Sequence, residues 1–356
     1  MYVDAVAPSY GQLAPATEVH SSVVDLPAIQ RPATPDAEFG ELSVLTYNVR
    51  GLPWPLALNR GKALRDIGRA LAALRREGRQ PDVVLIQEGF REEVGSLVRE
   101  SGYRYWAQGP TRAERTTFAG AVVAARDVLK GEGVGKFTGA GLHVLSDAPI
   151  IAVRTAAYNN CAGFDCLANK GAMMVRVQPA WSPTPIDVVN THMNARKASG
   201  APRARTLPAH NGQTAELNAF LVAHRDAEHP LIVGGDFNIR NSAVRYEHLT
   251  RGRPYTVVSE FCSQPGSGCG ADAPDTRGAP WLRTQDLQAF GDGVVRVQPV
   301  KSEFVFDRGA RRLSDHDGYL VRYKLSWTDQ TVAAYRPDPS VEVKPHKLGF
   351  KVSWAP

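Results

Sequence analysis

The stretch Leu313-Ser314-Asp315-His316-Asp317-Gly318 leads into the apolar run Tyr319-Leu320-Val321 near the C-terminal end of the chain. This pattern places an imidazole at the mouth of a strand, with a carboxylate beside it. A neutral His is the natural general base near pH 7, and a carboxylate next to it fixes its tautomer and stabilises the imidazolium. An Asp-His pair is also common in surface turns, so its interpretation depends on the rest of the chain.

Polar side chains follow four other apolar runs. An unpaired carboxylate at the edge of a core is costly, so Glu88 in particular is poorly explained as a turn residue. The other groups each have an ordinary explanation as a cap or loop residue, but together they would require several coincidences. The sequence therefore predicts that these strand ends converge on His316: Asn48 after 42–47, Glu88 after 82–87, His192 and Asn194 after 186–190, and Asp236 and Asn238 after 231–235.

Short strands alternate with a few amphipathic helices along the ordered part of the chain. Apolar residues recur at helical spacing after Arg60, over 92–100 and over 213–224, and short apolar or alternating runs lie between them. This pattern favours an α/β protein with two packed sheets and helices outside them. We expect a lead-in at 1–41, one catalytic domain at 42–327 and a C-terminal appendage at 328–356.

The composition is that of a soluble globular protein, with 43% hydrophobic and 22% charged residues in 356. The net charge of +6 and the pI near 9.2 favour anionic partners such as phosphates, nucleic acid or acidic lipid surfaces. The basic residues are scattered and form no nucleic-acid arm, which ranks nucleic acid behind the other partners. No apolar run is long enough to span a bilayer, and the N-terminus carries no recognisable signal peptide.

The four cysteines form two local pairs, Cys161 with Cys166 and Cys262 with Cys269. Short-range pairs among Gly, Ser, Asn and Asp suit two disulfides and hence an oxidising compartment. A zinc site is the alternative, although the spacing is not CxxC and no His lies near either pair. We therefore expect a secreted or periplasmic protein, with the cytoplasm as the alternative.

Five segments, taken in order, resemble the motif set of the endonuclease/exonuclease/phosphatase superfamily: Tyr-Asn-Val at 47–49, Ile-Gln-Glu at 86–88, Asn-Thr-His at 190–192, Gly-Gly-Asp-Phe-Asn at 234–238 and Ser-Asp-His at 314–316. The resemblance spans roughly residues 42–326. It implies a metal-dependent phosphoesterase with the deoxyribonuclease I fold. That fold is a four-layer αββα sandwich, in which two mostly antiparallel sheets are flanked by helices.

Other segments resemble the sphingomyelinases within this superfamily. Asn48-Val-Arg-Gly-Leu-Pro53 is similar to their opening motif, and Asp165-Cys-Leu-Ala-Asn169-Lys170-Gly171 is similar to the segment before a central strand. The chain departs from the secreted bacterial members in lacking an obvious hairpin with consecutive aromatic residues, which those proteins insert into lipid. Trp54 or Trp281 could replace it, although a packed or rim aromatic is the simpler interpretation.

The resemblance implies a role for each motif residue. Glu88 and Asn48 are expected to bind Mg²⁺, with Mn²⁺ or Co²⁺ as substitutes. The catalytic group comprises His316, Asp315, Asp236, His192 and Asn238, in which Asp315 holds the ring of His316. Substrate contacts are assigned to Lys170 and Asn194. The implied reaction is hydrolysis of sphingomyelin to ceramide and phosphocholine by a monomer that contacts a membrane peripherally; the alternative is a phosphoinositide-type phosphatase or a nuclease.

Overall fold

A computed structural model describes residues 39–52, 57–118, 126–271, 282, 284–306 and 312–336. Several of the predictions lie outside these residues. They concern most of the lead-in, the end of the C-terminal appendage, Trp54, Trp281 and most of a strand predicted over 118–124. The division into a lead-in, one domain and an appendage stays a prediction.

The described chain forms thirteen strands and six α-helices. The strands are β1 (Phe39–Asn48), β2 (Val83–Gln87), β3 (Tyr105–Gln108), β4 (His143–Ser146), β5 (Ile150–Ala157), β6 (Gly171–Val177), β7 (Ile186–His192), β8 (Leu231–Asp236), β9 (Thr256–Val257), β10 (Gly270–Ala271), β11 (Asp286–Gly291), β12 (Arg296–Val305) and β13 (Gly318–Ser326). The helices are α1 (Arg60–Arg76), α2 (Val94–Ser101), α3 (Arg203–His224), α4 (Ala243–Thr250), α5 (Val258–Ser263) and α6 (Asp329–Ala334). Short 3-10 turns occupy Val128–Lys130 and Gly163–Leu167.

The strands form two sheets. One has the order β10-β12-β13-β1-β2-β4-β3 and the other the order β5-β6-β7-β8-β11-β9. Most neighbours are antiparallel, while β1 with β2, β10 with β12, and β7 with β8 are parallel. The predicted α/β fold with two mostly antiparallel sheets is therefore confirmed.

Alternating side chains divide the interior into layers. Val44 of β1 and Ile232 of β8 lie in a core between the two sheets. Leu45, the next residue of β1, points the opposite way and packs with Leu64 and other apolar residues of α1 and α2. On the far side, Val233 of β8 packs against α3 and α4. The period of two in the strands thus produces the predicted four layers.

Buried amides join the two sheets beneath one edge. The side chain of Asn190 in β7 donates to the carbonyls of Ile86 and His143 in the other sheet, at 2.9 and 3.0 Å. Gln288 of β11 donates to the carbonyls of Val44 and Tyr319, at 2.8 and 2.9 Å. Because these bonds satisfy polar groups that are buried between the sheets, they fix how the sheets align.

The Gly-Gly pair of β8 allows the sheets and strands to approach closely at this edge. A Cβ on Gly234 would lie 2.7 Å from the Thr46 hydroxyl of the facing sheet. Gly235 has a φ of 152°, and a Cβ there would lie 2.1 Å from the carbonyl oxygen of Thr191 in β7. Only glycine fits both positions, which brings the last residues of β7 and β8 together.

Two elements differ from the sequence prediction. Helix α3 begins at Arg203, ten residues before the predicted start, and Pro208 lies inside it. Pro208 is the sixth residue of this helix, so it has no N–H for the bond that an ordinary residue there would donate to the Ala204 carbonyl. Strand β11, which begins at Asp286, was not predicted at all.

Both cysteine pairs form disulfides, Cys161–Cys166 and Cys262–Cys269, as predicted, which excludes the alternative zinc site. Within the described residues, no helix has the length and apolar character needed to cross a bilayer.

Candidate active site

The side chain of Asn48 bridges two carboxylates at the common edge of the sheets. Its Nδ2 atom lies 2.9 Å from Oε1 of Glu88 and 3.0 Å from Oδ2 of Asp236, and donates to both. Asn48 ends β1, Glu88 directly follows the parallel strand β2, and Asp236 ends β8 of the other sheet. The carboxyl ends of the parallel strands β1 and β2 meet at one edge of their sheet, which brings Asn48 beside Glu88, and Asp236 joins them from the facing sheet.

Glu88 leaves its strand in a left-handed backbone conformation, with a φ of 58°. Such a conformation is uncommon for a residue other than glycine and is often found at functional sites. It turns the chain sharply into Gly89, whose carbonyl oxygen lies 2.9 Å from Nε2 of the buried His143. The turn directs the Glu88 carboxylate toward Asn48.

The carboxylate of Asp236 lies close to both His192 and His316. Its Oδ2 atom lies 3.4 Å from Nε2 of His192 and 3.8 Å from Nε2 of His316. Its Oδ1 atom accepts the backbone N–H of Asn238 at 3.0 Å. The predicted convergence of distant strand ends on His316 is therefore present in the structure.

The carboxylate that holds His316 is Asp286, a residue that the sequence analysis did not identify. Oδ2 of Asp286 lies 2.8 Å from Nδ1 of His316, and the Gln285 amide lies 2.6 Å from Nε2. Asp286 opens β11, whose alternating sequence Asp-Leu-Gln-Ala-Phe was the available signal. The preceding Gly/Pro-rich stretch obscured the start of this strand.

The role predicted for Asp315 is wrong. Its side chain is 53% exposed and lies 3.5 Å from Nε of Arg50, away from the ring of His316. The chain bends at both residues, and the ring of His316 pairs with Asp286 instead. Ser314 contributes instead, because its hydroxyl donates to the carbonyl of Asn48 at 2.7 Å and anchors the segment to β1.

The cluster carries more negative charge than its own cations neutralise. Burial raises the pKa of Glu88, and the Asn48 hydrogen bond opposes that shift only in part. Burial likewise raises the pKa of Asp236 to about 7. Burial alone would lower the pKa of His316, but the charges of Asp286, Asp236 and Glu88 raise it to about 10. The raised pKa of His316 in particular indicates a site that attracts positive charge.

His192 is buried, and its neutral form is favoured. Burial and the nearby charge of Lys170 lower the pKa of His192 well below its usual value. The ammonium of Lys170 lies 3.1 Å from Nε2 of His192, 3.0 Å from Oδ2 of Asp165 and 3.0 Å from the carbonyl oxygen of Met193. With all of its donors directed at protein atoms, Lys170 supports His192 from behind, a correction to the predicted substrate contact.

Asn194 is also structural, contrary to the substrate-binding prediction. It is fully buried, and its Oδ1 atom accepts the backbone N–H of Ala162 at 2.8 Å. A side chain in this position secures the loop of the Cys161–Cys166 disulfide and does not face a substrate.

Asn238 lies beside Asp236 as predicted, in a left-handed conformation with a φ of 52°. Its Nδ2 atom donates to the Met193 carbonyl at 2.9 Å. The buried guanidinium of Arg245 in α4 donates to the carbonyls of Asn238 and Asn194, at 3.0 and 2.8 Å. Arg245 therefore holds the backbone of both loops.

In the part of the chain that the structure describes, two groups of side chains have ligand atoms close enough to share a metal ion. One comprises Glu88, His192 and Asp236, and the other comprises Asp236, Asp286 and His316. Within each group, the ligand atoms lie within 4.8 Å of one another. Carboxylate oxygens beside the Asn48 amide suit a hard divalent cation such as Mg²⁺, and the imidazole nitrogen also suits Mn²⁺ or Co²⁺. The excess negative charge of the cluster fits such an ion.

Comparison with known proteins places the chain in a family and a fold. The sequence model of the "Endonuclease/Exonuclease/phosphatase family" matches residues 45–316, which include all five motifs. No curated protein matches the chain significantly.

Three solved structures illustrate the shared fold. The β toxin of Staphylococcus aureus, in a mutant with bound magnesium ions, is 15% identical with a TM-score of 0.55, over 81% of this chain and 100% of the toxin. Sphingomyelinase C from Streptomyces griseocarneus is 19% identical with a TM-score of 0.53, over 80% and 99%. A humanized TDP2 from D. rerio is 14% identical with a TM-score of 0.52, over 80% and 98%. At such identities, the likeness establishes the fold alone.

Proposed function

Because the chain belongs to the endonuclease/exonuclease/phosphatase family, whose members are phosphoester hydrolases, we propose that it is a divalent-metal-dependent phosphodiesterase that cleaves sphingomyelin. The observation that carries this proposal is the meeting of Glu88, Asn48, Asp236 and His316 within hydrogen-bonding or near-contact distances at one sheet edge. These groups supply a carboxylate-rich cation site next to an imidazole, which are the two components that hydrolysis of a phosphodiester needs.

Glu88 and Asp236 would hold the cation, with Asn48 between them. The magnesium ions bound to the S. aureus β toxin support Mg²⁺ as that cation. When bound, a divalent ion polarises the phosphoryl oxygens and stabilises the charge that develops on them.

His316 is proposed to accept the proton of the attacking water, while Asp286 holds its Nδ1–H and stabilises the imidazolium. A general base must begin neutral, yet the surrounding carboxylates keep the pKa of His316 at about 10. Neutralising Glu88 and Asp236 removes part of that negative potential and lowers the pKa of His316, while Asp286 keeps its own contribution. The cation site and the base are therefore coupled by electrostatics. His192 and Asn238, on either side of Asp236, would face the non-bridging phosphoryl oxygens.

Sphingomyelin is favoured as the substrate by the sphingomyelinase-like motifs around Asn48 and Asp165-Lys170. The contacts of the second motif support this assignment, because Asp165, Lys170 and His192 form one chain of hydrogen bonds that ends in the site. The two disulfides support a secreted or periplasmic location. A protein outside the cytoplasm can reach lipids on the outer face of a cell membrane.

A panel of substrates tests the proposal. Purified protein would be assayed for phosphocholine release from sphingomyelin, nicking of plasmid DNA and phosphate release from phosphoinositides, each with Mg²⁺ and with EDTA. We expect metal-dependent release of phosphocholine to dominate. Faster turnover of DNA or of phosphoinositides would replace sphingomyelin with the nuclease or phosphatase alternative and would keep the metal-dependent mechanism.

A further inference from the structure

An apolar rim stands beside the candidate active site, on two loops at residues 127–137 and 163–168. Five of the ten exposed large hydrophobic side chains in the described chain lie on these two short loops. Exposed apolar side chains are therefore concentrated in this part of the surface. They are Val128 (61% exposed), Leu129 (94%), Val134 (47%), Phe137 (65%) and Phe164 (52%). A group of neighbouring apolar side chains exposed to water often marks an interaction surface, whereas single exposed apolar side chains are common on any protein.

The two loops form one structural unit. The backbone N–H of Phe137 donates to the Leu167 carbonyl at 2.7 Å, and Lys136 donates to the Ala168 carbonyl at 3.1 Å. In the opposite direction, the backbone N–H of Gly163 donates to Oε1 of the buried Glu132 at 2.8 Å. The exposed apolar groups are thus carried by a braced framework, while the side chains at its surface remain in solvent.

This unit is connected directly to the catalytic cluster. Phe164 precedes Asp165, whose carboxylate binds Lys170, and Lys170 contacts His192. The second loop leads into β6, whose Ala172 pairs with Thr191 beside His192, so the loop lies at the edge of the sheet that carries the site.

Basic side chains flank the rim. Arg115 and Arg126 are exposed and line the same cavity as Lys136. The acidic groups of the first loop are already paired, Asp127 with Lys130 and Glu132 with Arg205. Glu216 also lines this cavity, but it is buried and its pKa is raised to about 7, so the exposed charges there are those of Arg115 and Arg126.

We propose that the apolar rim, with Arg115 and Arg126, is the surface by which this protein docks on a lipid bilayer that carries anionic headgroups. Apolar side chains enter the interface between headgroups and acyl chains, and cations nearby are attracted to anionic lipids. Nucleic acid would be matched by the cations but not by Leu129 and Phe137. The inference rests on the proposed lipid substrate and places the membrane contact on loops in place of an aromatic hairpin.

Vesicle binding tests the rim without requiring turnover. Sedimentation with phosphatidylcholine vesicles containing phosphatidylglycerol, in EDTA, would compare the full chain with Leu129→Asp/Phe137→Asp. The matched control is Val222→Asp/Val244→Asp, which alters side chains that are 60% and 43% exposed on α3 and α4. We expect the rim variant to bind at least about tenfold more weakly, while the control binds like the wild type. Unchanged thermal unfolding would show that each variant is folded.

Equal binding by the rim variant and the wild type would overturn the inference, as would equal losses in both variants. Binding of the wild type to duplex DNA but not to these vesicles would also overturn it. Failure of the proposed function gives a different result, in which the wild type binds vesicles through the rim but releases no phosphocholine with Mg²⁺.

Discussion

Nδ1 of His316 lies 2.8 Å from Oδ2 of Asp286, and this contact joins the entry to β13 in one sheet to the first residue of β11 in the other. The two residues are 30 positions apart in the chain. The geometry is that of a base whose tautomer and orientation are set by a carboxylate.

The Asp286–His316 contact predicts that Asp286→Asn lowers kcat by about 10²–10⁴, because the amide can no longer stabilise an imidazolium. Asp315→Asn is the matched control and should stay within about twofold, since the exposed pair with Arg50 contributes little. Steady-state kinetics over a range of pH would distinguish the two. The opposite ranking of the variants would return the orienting role to Asp315.

The excess negative charge predicts that Glu88→Gln weakens Mg²⁺ or Mn²⁺ binding without unfolding the protein. Burial raises the pKa of this carboxyl, so replacing it with a neutral amide removes a desolvation cost, and the metal-free variant should be at least as stable as the wild type. Thermal unfolding with and without metal measures both effects. Metal should raise the midpoint of the wild type and leave that of the variant nearly unchanged. Equal stabilisation of both proteins would remove Glu88 from the cation site.

We expect catalysis to depend on the Cys161–Cys166 disulfide. It brackets Asp165, which binds both Lys170 and the backbone N–H of Ala195. Cys161→Ser/Cys166→Ser should therefore lower kcat by about tenfold or more, because a shift of the supporting loop misplaces His192.

Cys262→Ser/Cys269→Ser is the control for that prediction, because it opens the disulfide between α5 and β10. Each double variant should lose about 2–3 kcal/mol of unfolding free energy. If both lose the same share of activity when compared well below their unfolding midpoints, the Asp165 loop has no special role.

The lowered pKa of His143 should make the free energy of unfolding depend on pH. Burial lowers its pKa from about 6.5 to about 4, so between these values the unfolded chain binds the proton and the folded chain does not. The unfolding free energy should therefore be highest above pH 6.5 and fall by roughly 3 kcal/mol toward pH 4 on account of this residue. Denaturant titrations of the wild type and His143→Gln would show a shallower pH dependence in the variant. Parallel curves would contradict the shift.

Sequence patterns predicted the layers and most of the strand ends, because the periods of two and 3.6 report which face of an element is buried. They also placed Glu88, Asp236 and His316 together, since the five motifs occur in one order. Asp286 was missed because β11 is a short strand that follows a Gly/Pro-rich stretch. Its role also depends on contact with His316, which leads into β13 of the other sheet. The direction of a side chain at a strand end is likewise a tertiary property.

Asn194 and Lys170 show the opposite error, because the sequence predicted substrate contacts for two residues that support the site. Both have the residue types of ligand contacts, yet packing buries them and directs their polar atoms to Ala162, Asp165 and His192. Residue type and position along a strand do not distinguish a group that contacts substrate from one that supports it. Only the identity of the neighbours makes that distinction.

Phosphocholine release from sphingomyelin by the wild type and His316→Ala, each with Mg²⁺ and with EDTA, is the most direct measurement of the central claim. If one imidazole and one cation site act on the same phosphodiester, the wild type turns over only with metal, and the folded variant loses about 10²–10⁴ of that rate. Comparable release by the folded His316→Ala protein, or release by the wild type that EDTA does not change, would contradict it.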